Sequence, residues 1–120
     1  MTEEENNEVL VMKLLRYFIS EKDYSPIVIR GLQGEIWLEN LNADYRIIRI
    51  VSNYIHNDEQ FEFDLRKTKQ LMKTIKKKTF SLKMNVLSIF VNLGDNVHMQ
   101  KYDEVPKIAM AQVNGEEDLN

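Results

Sequence analysis

Apolar residues recur at helical spacing in two stretches of this chain, and at strand spacing between and after them. From Glu8 to about Lys22, Val11, Leu14, Leu15, Phe18 and Ile19 share one side of a helix, with Lys13, Arg16 and Glu21 opposite. Tyr24-Ser25-Pro26 ends that pattern, because proline disfavours helix in the residue before it. Three short strands are predicted next: Ile27 to Arg30, Glu35 to Glu39, and Tyr45 to Val51. Turn residues separate them at Gly31, at Gln33-Gly34 and from Asn40 to Asp44. The third strand reads as buried on both faces. In the second, Trp37 should face away from Ile36 and Leu38. It then packs under a helix or, on the alternative reading, docks a partner.

Helical spacing returns from about Asp58 to Lys78, where Phe61, Leu65, Thr68, Met72 and Ile75 advance in steps of four and three, with Leu71 beside them. Asp58 is the expected N-cap, followed by Glu59, Glu62 and Asp64. Met84 to Leu93 then reads as a central strand. A strand, a helix and a second strand form a crossover that pairs the two strands in parallel. Val105 to Val113 fits an edge strand or a short helix. The expected fold is a single αβββαβ domain of the α/β (α+β) class, a mixed four-stranded sheet with flanking helices. Its globular part runs over residues 8–113, between a disordered acidic lead-in (1–7) and an acidic tail or linker (114–120).

Composition narrows the chemistry. The 120 residues suit one domain, at 43% hydrophobic and 29% charged. Cysteine is absent, which removes disulfides, thiolate metal sites and cysteine nucleophiles, and suits a reducing cytosol. No run approaches the ~20 apolar residues of a membrane span, and the acidic start is unlike a basic signal peptide. A net charge of −3 argues against a dedicated nucleic-acid binder. Yet eight of the 16 basic residues lie between Arg66 and Lys83, with no acid among them. Two readings stand for this run: a solvated helix face whose lysines complement the dipole, or a cationic face for an anionic partner, either an acidic lipid surface or nucleic-acid phosphates, carried by Lys69, Lys73, Lys76 and Lys77. The absence of aromatic residues among the lysines from 66 to 78 disfavours base stacking.

The αβββαβ order is that of the restriction-endonuclease-like nucleases. Their chemistry needs an acid on the second strand and an acid-x-Lys pair on the third, to hold a hard cation and position the attacking water. No acid in this chain has a lysine two residues later. Asp44-x-Arg46 and Asp64-x-Arg66 offer only an always-charged guanidinium, and Ile47, Ile48 and Ile50 stand where acids would be needed. The core is therefore read as degenerate. The four glycines form no phosphate loop or nucleophile elbow, and His56 and His98 lack zinc-protease spacing. No catalytic residue is nominated. His56, Asp58, Glu59 and Glu62 form the cluster most like a cation site, and their mixed imidazole and carboxylate donors would favour a weakly bound Mn²⁺ over Mg²⁺. The same acids also read as cap and dipole partners of the helix.

Glu35-Ile36-Trp37-Leu38-Glu39, Tyr45-Arg46-Ile47-Ile48-Arg49-Ile50, Asn53-Tyr54-Ile55-His56 and Asn85-Val86-Leu87-Ser88-Ile89-Phe90-Val91, in this order, resemble one family. It is the N-terminal extramembrane domain of rhomboid-family intramembrane serine proteases of Gram-positive bacteria, the YqgP type, matched over roughly residues 8–95. The resemblance implies a catalytically silent domain on the cytosolic side of the bacterial membrane. It implies a regulatory or substrate-presenting role, with the transmembrane rhomboid domain of the same chain as first partner, and membrane substrates and anionic lipid head groups as further ones. It also implies divalent-cation sensing. His56 matches the family's histidine before the second helix, but Asn57 stands where the family has an acid, with Asp58 and Glu59 displaced beside it. The family's catalytic serine and histidine belong to membrane helices outside this sequence, and the polar stretch ending at Asn120 suits a cut before the first of them. The alternative reading is a stand-alone, degenerate nuclease-fold protein that binds nucleic acid or a protein.

Overall fold

The computed structural model describes residues 3–27, 35–79, 85–99 and 108–113. Helix α1 (Glu3–Arg16) continues as one wide π-helical turn, Tyr17–Glu21. It begins earlier than the apolar pattern does. Residues 3–7, expected in a disordered lead-in, form its first turns. The π turn shifts the helical register by a residue, which accounts for Ile19 being 39% exposed although its spacing placed it on the buried stripe. Asp23, at a φ of 59°, reverses the chain, and the Tyr24 amide donates to the Phe18 carbonyl at 3.0 Å.

Strands β1 (Ser25–Ile27), β2 (Ile36–Glu39), β3 (Ile47–Val51), β5 (Val86–Phe90) and β7 (Ile108–Gln112) form one mixed sheet in the order β1-β2-β3-β5-β7. The first two pairings are antiparallel, and β3 with β5 and β5 with β7 are parallel. The crossover from β3 to β5 runs through helix α2 (Asp58–Thr79), as the alternation of patterns predicts. The sheet has five described strands rather than four, because the ambiguous end is a strand: Ile108 to Gln112 pairs along the whole of β5. Pro26, which cannot donate to a ladder, sits in the outermost described strand. Strands β4 (Ile55–Asn57) and β6 (Leu93–Asn96) form a separate parallel pair that the sequence pattern did not reveal. Gly94 lets them approach closely: a Cβ there would lie 2.7 Å from the Tyr54 hydroxyl and 3.0 Å from the His56 carbonyl. Residues 28–34, 80–84, 100–107 and 114–120 lie outside the described residues; they hold the rest of the expected first strand, the Gly31 and Gln33-Gly34 turns, Met84 at the start of the expected central strand, the start of the Val105–Val113 segment and the expected tail.

The sheet is covered on both sides. Leu10 and Leu14 of α1 pack on Leu38, Ile48, Ile50 and Ile89. Leu65 and Met72 of α2 pack on Trp37, Ile47 and Val86. Trp37 thus faces away from Ile36 and Leu38, lies under α2, and is 2% exposed, which removes the docking alternative. The stripe on α2 is seated as its spacing requires, with Phe61, Leu65, Thr68 and Met72 buried. Among the described residues, no helix is long and apolar enough to cross a membrane.

Candidate functional site

Arg49 lies in the middle of β3, and all five residues of that strand are buried. Strand alternation turns Ile48 and Ile50 toward α1 and Arg49 toward α2. In the sheet register Arg49 stands between Trp37 on β2 and Ser88 on β5. Its guanidinium donates to both carboxylate oxygens of Asp64 on α2, to Thr68 Oγ1 at 2.6 Å, to Ser88 Oγ at 3.3 Å and to Glu35 Oε1 at 3.2 Å. The Trp37 ring centroid lies 5.8 Å from the guanidinium carbon, within cation–π range. Arg49 Nε is buried without a hydrogen-bond partner.

Glu35, just before β2, joins a second cation to this cluster. Lys67 Nζ donates to Glu35 Oε1 at 2.9 Å, and Trp37 Nε1 donates to Glu35 Oε2 at 3.1 Å. Burial alone would push the Glu35 carboxyl up, but Arg49 and Lys67 outweigh it and hold it below its ordinary value of 4.5. Two carboxylates, one guanidinium and one ammonium leave the cluster formally neutral. Thr68 adds a geometric tie, since its hydroxyl also donates to the Asp64 carbonyl at 2.9 Å.

Glu35, Asp64 and Lys67 border a cleft of about 620 Å³ between β4 and the first turns of α2, flanked by the aromatic rings of Tyr54 and Phe63. Two acids and a lysine are the donor set that a metal-dependent nuclease would use. Here they converge from the start of β2 and from an i, i+3 pair on α2 rather than as acid-x-Lys on β3. Every carboxylate oxygen of the pair is already bound: both of Asp64 by Arg49, and those of Glu35 by Arg49, Lys67 and Trp37. A divalent ion would have to displace a guanidinium that stays charged at any working pH.

The residues singled out as a cation site are not gathered in one place. Asn57, not Asp58, caps α2: its Oδ1 accepts from the Gln60 amide at 3.0 Å, while Gln60 Oε1 accepts from the His56 amide at 2.7 Å. This is a close variant of the reciprocal capping box. Asp58 instead fastens the segment after β6, with Oδ1 accepting from the His98 amide at 2.7 Å and Oδ2 lying 2.8 Å from His98 Nδ1. His56 is exposed and tilts against Tyr54, their ring centroids 5.8 Å apart. Glu59 and Glu62 are exposed on α2. Among the described residues no three acidic or histidine side chains are grouped to hold a metal ion. Asp58 and His98 make a two-ligand beginning to which these residues add no third, so the set does not fit a cation as placed.

Lys69 and Lys73 are exposed on α2, on the side away from the sheet. The side chains of Lys76 and Lys77 lie outside the described residues. Lys67, from the same basic run, is committed to Glu35. Pattern reading missed the Arg49 cluster, although one signal was present: a lone arginine inside Ile-Ile-Arg-Ile-Val, on a strand otherwise apolar on both faces. A buried arginine requires carboxylate partners. No protein-family model matches the chain, and no curated protein matches it.

Proposed function

We propose that this chain is a non-catalytic binding and regulatory domain, the cytosolic module of a rhomboid-family intramembrane serine protease. The observation that supports a non-catalytic role is the saturation of Asp64 by Arg49 and of Glu35 by Arg49, Lys67 and Trp37. Groups that could otherwise activate water or hold a metal are spent on holding α2 to the sheet. Support for the rhomboid assignment comes from the ordered Glu35–Glu39, Tyr45–Ile50, Asn53–His56 and Asn85–Val91 segments. Regulation by Mn²⁺ or Mg²⁺ is not part of this reading, because among the described residues His56, Glu59 and Glu62 do not gather with Asp58.

An antibody raised against the domain tests the assignment in fractionated source cells. The expected antigen is a polypeptide much larger than 14.2 kDa, retained in carbonate-washed membranes. A 14.2 kDa antigen confined to the soluble fraction would overturn it. That result would favour the second reading, a stand-alone degenerate nuclease-fold protein, for which the convergence of Glu35, Asp64 and Lys67 speaks. Purified domain incubated with plasmid and single-stranded DNA in Mg²⁺ or Mn²⁺ should leave both intact. Metal-dependent cutting that persists on re-purification and is lost in Asp64→Asn would contradict the non-catalytic role.

A further inference from the structure

A groove separate from the Arg49 cluster opens where α1 meets the carboxyl ends of the parallel strands β3 and β5. Crevices at such strand ends are where open α/β sheets receive ligands. The wider part encloses about 890 Å³ over Val11, Leu15 and Ile36, which form the rim of the α1-side core. A narrower part of about 390 Å³ continues past Asn92 to Asp95. Asn7, Tyr54 and Asn92 line both, so the two are continuous. Met12 and Tyr54 stand on the rim, 61% and 56% exposed.

The lining limits what the groove can take. Among the described residues its charged side chains are Glu8 and Asp95, both exposed, and no described lysine or arginine lines it. The charge of these described residues favours a cationic ligand over phosphate and anionic head groups. Apolar side chains fit over Val11, Leu15 and Ile36, with Met12 able to adapt to their shape. The amides of Asn53 and Asn92 and the hydroxyl of Ser52 both give and accept hydrogen bonds. A peptide backbone can use these groups and an acyl chain cannot.

We infer that the groove binds an apolar peptide segment flanked by lysine or arginine, the composition of the cytosolic end of a membrane-spanning helix. The source of the peptide rests on the proposed rhomboid function, since cytosolic flanks of membrane spans are rich in Lys and Arg. The chemistry of the groove does not depend on it.

The test is a fluorescence anisotropy titration of a short labelled peptide, apolar in one half and Lys/Arg-rich in the other. Saturable binding is expected, weakened about tenfold or more, or at least ~1.4 kcal/mol, by Met12→Glu. Glu8→Lys with Asp95→Lys should reverse the preference, so that a Glu-flanked version of the peptide binds better. All three positions are solvent-exposed, and an unchanged near-ultraviolet signal from buried Trp37 checks the fold of each variant. Equal binding of the Glu-flanked peptide to wild type would overturn the inference. So would equal binding to Met12→Glu, preferential binding of anionic phosphatidylglycerol vesicles that the Met12→Glu variant loses, or a wild-type dimer that this variant dissolves. Membrane retention of a large antigen together with any of these results would remove the groove and leave the rhomboid reading. Peptide binding by a protein whose antigen is small and soluble would do the reverse.

Discussion

The two faces of the sheet meet helices by different means. Toward α1 the contact is apolar throughout: Leu10 and Leu14 close over Leu38, Ile48, Ile50 and Ile89. Toward α2 the apolar contacts of Leu65 and Met72 with Trp37 and Ile47 surround an ion cluster centred on Arg49. The two environments belong to neighbouring residues of one strand. Apolar burial is non-directional and tolerates small shifts, at roughly 25 cal/mol per Å². The ion cluster is directional, and it fixes α2 at Asp64, Lys67 and Thr68 against β2, β3 and β5. Its net contribution to stability is small so long as it is intact, because desolvation offsets the Coulomb attraction. Removal of one member has a different consequence.

The largest effect is expected from Arg49→Met, which strands Asp64 and Glu35 as buried carboxylates without their main partner. Loss of about 3–5 kcal/mol in urea unfolding is expected. Ile50→Val, one residue along and on the other face, should cost only about 0.5–1.5 kcal/mol. Similar losses in the two variants would erase the contrast between the faces. Asn57→Ala, which removes the cap from the start of α2, should cost about 1 kcal/mol and lower the amide protection of Gln60 first.

Acid should also distinguish the faces. The Glu35 carboxyl is held below 4.5 in the folded protein, so its contribution is complete above that value and is lost as pH falls through the lowered one. An acid-unfolding curve of Glu35→Gln should therefore be flatter than wild type below pH 4.5, whereas Ile50→Val should run parallel to wild type. The smallest effect belongs to Lys67→Met. Lys67 is 36% exposed at its side chain, and Glu35 keeps Arg49 and Trp37 without it, so a loss within about 1 kcal/mol is expected in thermal unfolding.

Periodicity made the apolar face legible. Leu14, Leu38, Ile48 and Ile50 follow the spacing that helix and strand geometry impose, and alternation alone turned Trp37 toward α2, whereas buried Leu10 was not on the expected stripe. Three things were not legible. The partners of Arg49 lie 14, 15, 19 and 39 residues away, at Glu35, Asp64, Thr68 and Ser88, and only the folded domain brings them together. The β4–β6 pair is built from Ile-His-Asn and Leu-Gly-Asp-Asn, which have no strand alternation to read. Asn57 and Asp58 are equally good caps by type, and the choice between them is made by His98, 40 residues on from Asp58. An acid-x-Lys pair lies along a single strand, whereas Glu35 precedes β2 and Asp64 and Lys67 stand on α2.

The central claim is that Arg49 serves as the resident cation of Glu35 and Asp64. Urea unfolding of wild type, Arg49→Met and the triple variant Arg49→Met/Glu35→Gln/Asp64→Asn tests it most directly. The account predicts that the single variant loses about 3–5 kcal/mol and that the triple variant, with its carboxylate charges removed as well, regains at least about half of that. A triple variant less stable than Arg49→Met would contradict the account, since the loss would then come from packing or hydrogen bonds and not from stranded charge.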